Sequence, residues 1–124
     1  MKGVTVTKIE PAHEDKRRSL SAMFNNDFTA RQIKIIRVKE DSILGNHYHN
    51  YRETFYVLEG EANYTVEDVD TRQRARVILR KGDRMTIDPR IAHKALIRAG
   101  TIMIEGTEKP YISQDINDQR YLVE

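Results

Sequence analysis

Two histidines and a glutamate fall within seven positions of one another, at His47, His49 and Glu53. A β-strand sends alternate side chains to one face, so His47 and His49 project together, and Glu53 keeps their parity while the chain stays extended. Neutral imidazole and carboxylate are ligand types for a first-row divalent metal. The sequence holds four histidines, and His93 joins the set from a distance, after a Gly82-Asp83 turn, an apolar run and a second turn at Asp88-Pro89. The spacing predicts one divalent ion held by His47, His49, Glu53 and His93. Mixed nitrogen and oxygen ligands select weakly among nickel, zinc, iron and manganese, so availability decides the occupant. Ligand histidines must be neutral, and occupancy is expected to fall as the pH drops through about 6. His13 lies outside this pattern and reads as a surface residue.

Positioning these groups is the work of strands. Nearly every periodic segment alternates with period two and is rich in β-formers, which predicts strands over 4–8, 32–39, 54–58, 63–66, 76–79, 84–87, 94–98 and 101–105. Turn residues punctuate them at Gly45-Asn46, Glu59-Gly60, Lys81-Gly82-Asp83, Asp88-Pro89 and Ala99-Gly100. Short strands at this spacing, without long amphipathic helices, indicate an all-β sandwich or barrel. At 124 residues, with no linker or repeat, the chain is expected to form a single domain over 1–124.

The two histidine segments resemble the motifs of the cupin family. The first cupin motif ends in His-x-His, a short gap, Glu, six residues and Gly, which His47-Tyr48-His49, Glu53 and Gly60 reproduce. In the second motif, Gly82 and His93 keep the family separation. Asp88 stands at the proline position with Pro89 beside it, Arg90 replaces the glycine, and Ile97 replaces the asparagine. The resemblance implies a double-stranded β-helix (jelly-roll) barrel, with motifs around 45–60 and 82–97. Asp15-Lys16-Arg17-Arg18-Ser19-Leu20 is loosely similar to a stretch of nucleotide-sugar epimerases and ketoisomerases, with Arg18 in place of a glycine. Leu44-Gly45-Asn46-His47-Tyr48-His49 looks like the metal-binding cupin domain of some capsular-sugar reductases. Both likenesses point toward carbohydrate chemistry.

Composition narrows the remaining possibilities. Lys and Arg number 21 against 19 acidic residues, a formal charge of +2, and no basic run carries interleaved aromatics, so no nucleic-acid partner is expected. The absence of cysteine excludes disulfides, thiolate ligands and cysteine nucleophiles. No apolar run approaches the ~20 residues of a membrane span, and the first residues lack a signal-peptide core, so a soluble, cytoplasmic protein is expected. Several strands are apolar on both parities, as in Ile33, Ile35 and Ile36, which predicts a homodimer covering one outer face.

Arg31, Arg37 and Tyr51 are assigned inward parity and Arg90 the barrel mouth. The arginines suit a phosphate or carboxylate on a small polar ligand such as a carbohydrate. Glu53 and Tyr51 are the catalytic candidates. The favoured function is a metal-dependent isomerase or epimerase acting on a sugar derivative. A non-haem metal dioxygenase and a non-catalytic ligand- or metal-binding module stay open, because fold does not choose among them.

Overall fold

The computed structural model describes residues 1–110 and 119–124. Twelve strands run in chain order: β1 (Val4–Lys8), β2 (His13–Glu14), β3 (Ser19–Leu20), β4 (Gln32–Arg37), β5 (Ser42–Tyr48), β6 (Glu53–Glu59), β7 (Glu61–Asp68), β8 (Arg74–Arg80), β9 (Asp83–Ile87), β10 (Ile91–Ile97), β11 (Ile102–Thr107) and β12 (Gln119–Arg120). Two antiparallel five-stranded sheets, ordered β1-β9-β6-β11-β4 and β12-β5-β10-β7-β8, face each other as a jelly roll. A small hairpin, β2-β3, lies apart, its turn built by Asp15, whose carboxylate accepts from the backbone N–H groups of Arg17 and Arg18. No helix long and apolar enough to cross a membrane occurs among the described residues.

The alternation that marked the strands also sorts the core. Val57, Ala62, Val66, Leu79, Met85 and Met103 are fully buried between the sheets. All eight expected strands form: six are one to four residues longer than expected, β1 has the expected bounds, and β4 stops two residues early at Arg37. The chief addition is β5. Gly45 and Asn46 lie inside it, not in a turn, and both take positive φ, +102° and +61°. Against β10 the register steps from Lys94↔Gly45 to His93↔His47, so Asn46 is the extra residue of a β-bulge.

The outer face of the first sheet is covered at one end by the chain itself. Arg84, only 5% exposed, pairs with Asp27 and the carbonyl of Met23, and its guanidinium lies 5.4 Å from the Phe24 ring. Gly106 leaves room for this strap, since a Cβ there would stand 3.3 Å from Phe24. Farther along, Ile33 and Ile35 are 55% and 64% exposed.

Candidate active site

The bulge in β5 turns His47 to the same side as His93, its direct partner across the sheet. His49 follows at the end of β5, buried, with its backbone oxygen accepting from the N–H of Arg90. The three imidazoles converge. Each offers a ring nitrogen, and all three nitrogens lie within 4.8 Å of one another. Ring centroids stand 4.6 Å apart for His47 with His49, and 4.6 Å for His47 with His93.

Glu53, at the start of β6, is 2% exposed and is not part of that mutual set. Its Oε1 lies 2.8 Å from Nε2 of His49. Two ligands on one ion, each bonded at about 2.1 Å, stand roughly 3 Å apart when adjacent, so this contact suits either a direct pair or a shared metal. The donor set and its convergence fit a divalent ion, with His47, His49 and His93 as the residues that would hold it and Glu53 at its edge.

Behind the histidines lies a second carboxyl. Glu105, on β11, shares the inward face with Met103 and is hydrogen-bonded to Glu53. Burial pushes the Glu105 carboxyl up to about 7, and the neighbouring Glu53 charge adds to the rise, while Lys34, whose Nζ is 3.6 Å away, opposes it. Burial acts on Glu53 in the same sense, but the contact with His49 and the nearby His93 outweigh it and hold Glu53 below its ordinary value. Two carboxyls whose proton affinities are driven apart are the signature of an acid and base pair. Burial also lowers His47, and takes His93 down to about 4, so both rings are neutral near pH 7. A cavity of about 70 Å³ is walled by His47, His93, Glu105, Phe55 and Tyr64, with Glu53 and His49 outside its wall. Burial keeps the Tyr64 hydroxyl protonated far above its usual range.

The other expected site residues divide. Tyr51, in the loop before β6, stacks on His49 at 4.7 Å with planes 20° apart, and Lys109 reaches its ring at 5.7 Å. Arg31 and Arg37 do not face the cavity. Both are exposed, because Ile36 pairs with the fully buried Met103, which turns Gln32, Lys34 and Ile36 inward and the alternate positions out. A one-residue shift of parity moves every side chain to the other face. Arg90 is not in the cavity wall, and its guanidinium is committed to Asp70 through bonds of 2.9 and 2.7 Å. Its φ of +66° accounts for the family glycine at this position, since a side chain there costs about 1–2 kcal/mol. His13 is exposed and pairs with Asp15 at 2.9 Å, as a surface residue should. Glu105 and Lys34 were not anticipated. The available signal was a glutamate on the parity of Met103 in an otherwise apolar strand, since buried carboxylates are rare without a purpose.

Residues 34–104, more than half of the chain, match the family model described as a cupin domain. The chain belongs to the cupin family. No curated protein sequence matches this cupin significantly. Among solved structures, a TDP-fucose 3,4-ketoisomerase from Campylobacter jejuni is 23% identical over 90% of this chain and 85% of its own, with a TM-score of 0.76. A TDP-quinovose 3,4-ketoisomerase from the same organism is 16% identical, covers 97% and 94%, and superposes with a TM-score of 0.83. A dTDP-4-dehydrorhamnose 3,5-epimerase from Bacillus anthracis is 15% identical over 93% and 76%, with a TM-score of 0.78. These likenesses establish that the cupin jelly roll extends over nearly the whole chain.

Glu105 carries a stability consequence. Its folded pKa, about 7, lies above the ordinary 4.5, so between these values the folded protein holds a proton that the unfolded chain lacks. Stability from this group is therefore lost as the pH rises from 4.5 through 7. Glu105→Gln is expected to raise the melting temperature relative to the parent more at pH 8 than at pH 5. An equal difference at both pH values, by differential scanning fluorimetry, would count against the buried proton.

Proposed function

We propose that this cupin is a metal-dependent isomerase or epimerase acting on a carbonyl-bearing sugar derivative. The observation that carries the reading is the hydrogen-bonded Glu53–Glu105 pair, one carboxyl driven down and the other up, buried beside the three converging imidazoles, with Glu105, His47 and His93 walling one cavity. Ionised Glu53 takes the proton from the carbon next to the carbonyl, leaving an enediolate. Glu105, holding a proton near neutral pH, is placed to return one. Glu105 is hydrogen-bonded to Glu53 and so shares its side of the enediolate; an epimer would need a proton delivered to the same carbon from the opposite face by another donor. Return to the former carbonyl carbon, with the hydroxyl proton moved between the two oxygens, shifts the carbonyl by one position. A nickel, zinc, iron or manganese ion on His47, His49 and His93 would supply Lewis-acid polarisation of the carbonyl oxygen when bound. Tyr51 holds the His49 plane by stacking.

The cavity is about 70 Å³, too small for a whole sugar nucleotide, so most of such a substrate would have to lie outside it. The solved structures of TDP-sugar ketoisomerases and of a dTDP-sugar epimerase support a nucleotide-linked keto-sugar. The test is incorporation of solvent deuterium into a panel of nucleotide-linked and phosphorylated keto-sugars, with metal present, read by mass spectrometry. No incorporation across the panel would remove the reading. The three-histidine set also suits iron and oxygen chemistry, and oxygen uptake by the iron-loaded protein would favour a dioxygenase instead.

The assembly that fits this chain is a homodimer. Ile35 stands opposite Ile104, which stands opposite Tyr56, so an apolar row crosses three strands beside exposed Ile33 on the outer face. A second copy would cover it. Light scattering at micromolar concentration is expected to give twice the chain mass of 14.5 kDa, and a monomer would refute the assembly.

A further inference from the structure

Without the bulge, His47 would point out of the barrel. Leu44 pairs with Ala95 and Gly45 with Lys94, so regular alternation would place position 46, not 47, opposite His93. Asn46 is the inserted residue that restores His47 to the inner face. The bulge is held open by close packing on one side. A Cβ on Gly45 would stand 2.5 Å from the carbonyl oxygen of His93, so only glycine lets β5 approach β10 there.

On the other side the bulge is gripped by the end of the chain. The backbone N–H of Tyr121 donates to the carbonyl of Asn46 at 2.9 Å. That of Val123 donates to its side-chain Oδ1 at 3.0 Å. Both ends of one residue are thus tied to one terminal segment. That segment is itself anchored: Val123 is fully buried, Arg120 pairs with His47 across the sheet edge, and the Tyr121 hydroxyl donates to Glu67, which also receives Arg72 and Arg74. An asparagine suits the place for two reasons. It tolerates the left-handed backbone, and its amide supplies the acceptor.

We propose that Asn46 is a positioning residue: gripped by Tyr121 and Val123, it fixes the β5 bulge and so holds the His47 ring facing His93. The proposal rests on the reading of His47, His49 and His93 as one ligand set, and its test separates the two. Asn46→Gly keeps the positive φ and removes only the acceptor; Asn46→Asp keeps both. Cobalt(II) titration, followed by absorbance, is expected to give parent-like affinity for Asn46→Asp and about tenfold weaker binding for Asn46→Gly, the size of effect seen when the support of a ligand histidine is removed. The nitrogen-15 signals of the His47 ring, assigned by their loss in His47→Gln, are expected to move in Asn46→Gly while those of His13 stay in place.

If the parent takes up no cobalt, the metal reading fails, and the ring signals alone decide the role of Asn46. Unchanged His47 signals in a folded Asn46→Gly protein would overturn the proposal, whatever the cobalt result. Should Asn46→Gly not fold, Val123→Pro deletes the donor of the same bond, and the same two outcomes apply.

Discussion

Glu53→Gln is expected to slow solvent deuterium incorporation into a keto-sugar substrate by about a thousandfold, the mid-range worth of a positioned general base. The amide keeps the shape of the carboxyl and its reach to His49, 2.8 Å away, but has no lone pair basic enough to accept a carbon-bound proton. The companion Glu105→Gln should cost less, about tenfold, because water entering the cavity can stand in for a proton donor more readily than for a base. The pair of variants is diagnostic. If Glu53→Gln retains parent-like exchange while binding substrate, the carboxyl is a structural partner of His49 and the base lies elsewhere. The measurement is the initial rate of deuterium uptake at saturating substrate and metal, near pH 7.

His49→Ala should lower metal affinity by more than about a hundredfold, since even removing the outer support of a ligand costs 10–100-fold. The fold should persist, because the fully buried side chains of Val57, Leu79, Met85 and Met103 lie in the barrel core and owe nothing to the ion. Loss of the imidazole leaves the buried Glu53 without its partner at 2.8 Å, a cost of about 1–3 kcal/mol that should appear as a modest drop in melting temperature. Elemental analysis after dialysis at neutral pH reads the first effect and thermal denaturation the second. Metal content equal to the parent's would sink the ligand role of His49. The same dialysis, repeated down the pH scale on the parent, reads the point at which protons displace the metal. Burial takes His93 to about 4 and lowers His47, so protons compete for these nitrogens only in more acidic solution, and release should begin below about 6.

Much of this site was legible in residue types and spacing, and what was not has identifiable causes. His47, His49 and His93 announced themselves because few residue types bind metal and three of four histidines fell at motif spacing. The expected strands could be read because alternating burial leaves an alternating pattern. β5 escaped because Gly45-Asn46 carries the composition of a turn, and a bulge uses the same left-handed conformations for a different end. The parity of β4 was misjudged at Arg31 and Arg37 because Ile33, Ile35 and Ile36 make both faces apolar, and only pairing with Met103 breaks the tie. Glu105 was passed over because a charged side chain at a strand end reads as exposed. It is the neighbouring Glu53, brought close only by the β6–β11 pairing, that gives it a chemical meaning.

The pairing of His47 with His93 has a consequence in time as well as in space. β5 and β10 meet across a long stretch of intervening chain, and the carboxyls come from β6 and β11, which belong to the opposite sheet. His47, His49 and Glu53 are neighbours in the chain, but His93 and Glu105 join them only through these pairings. Pairings this remote must pay their loop-closure entropy before any contact rewards them, which makes them late and slow events in a refolding chain. The folding chain therefore passes through its early stages with His93 still apart from His47 and His49, and a metal that needs all three can assist only the later step that brings β10 against β5.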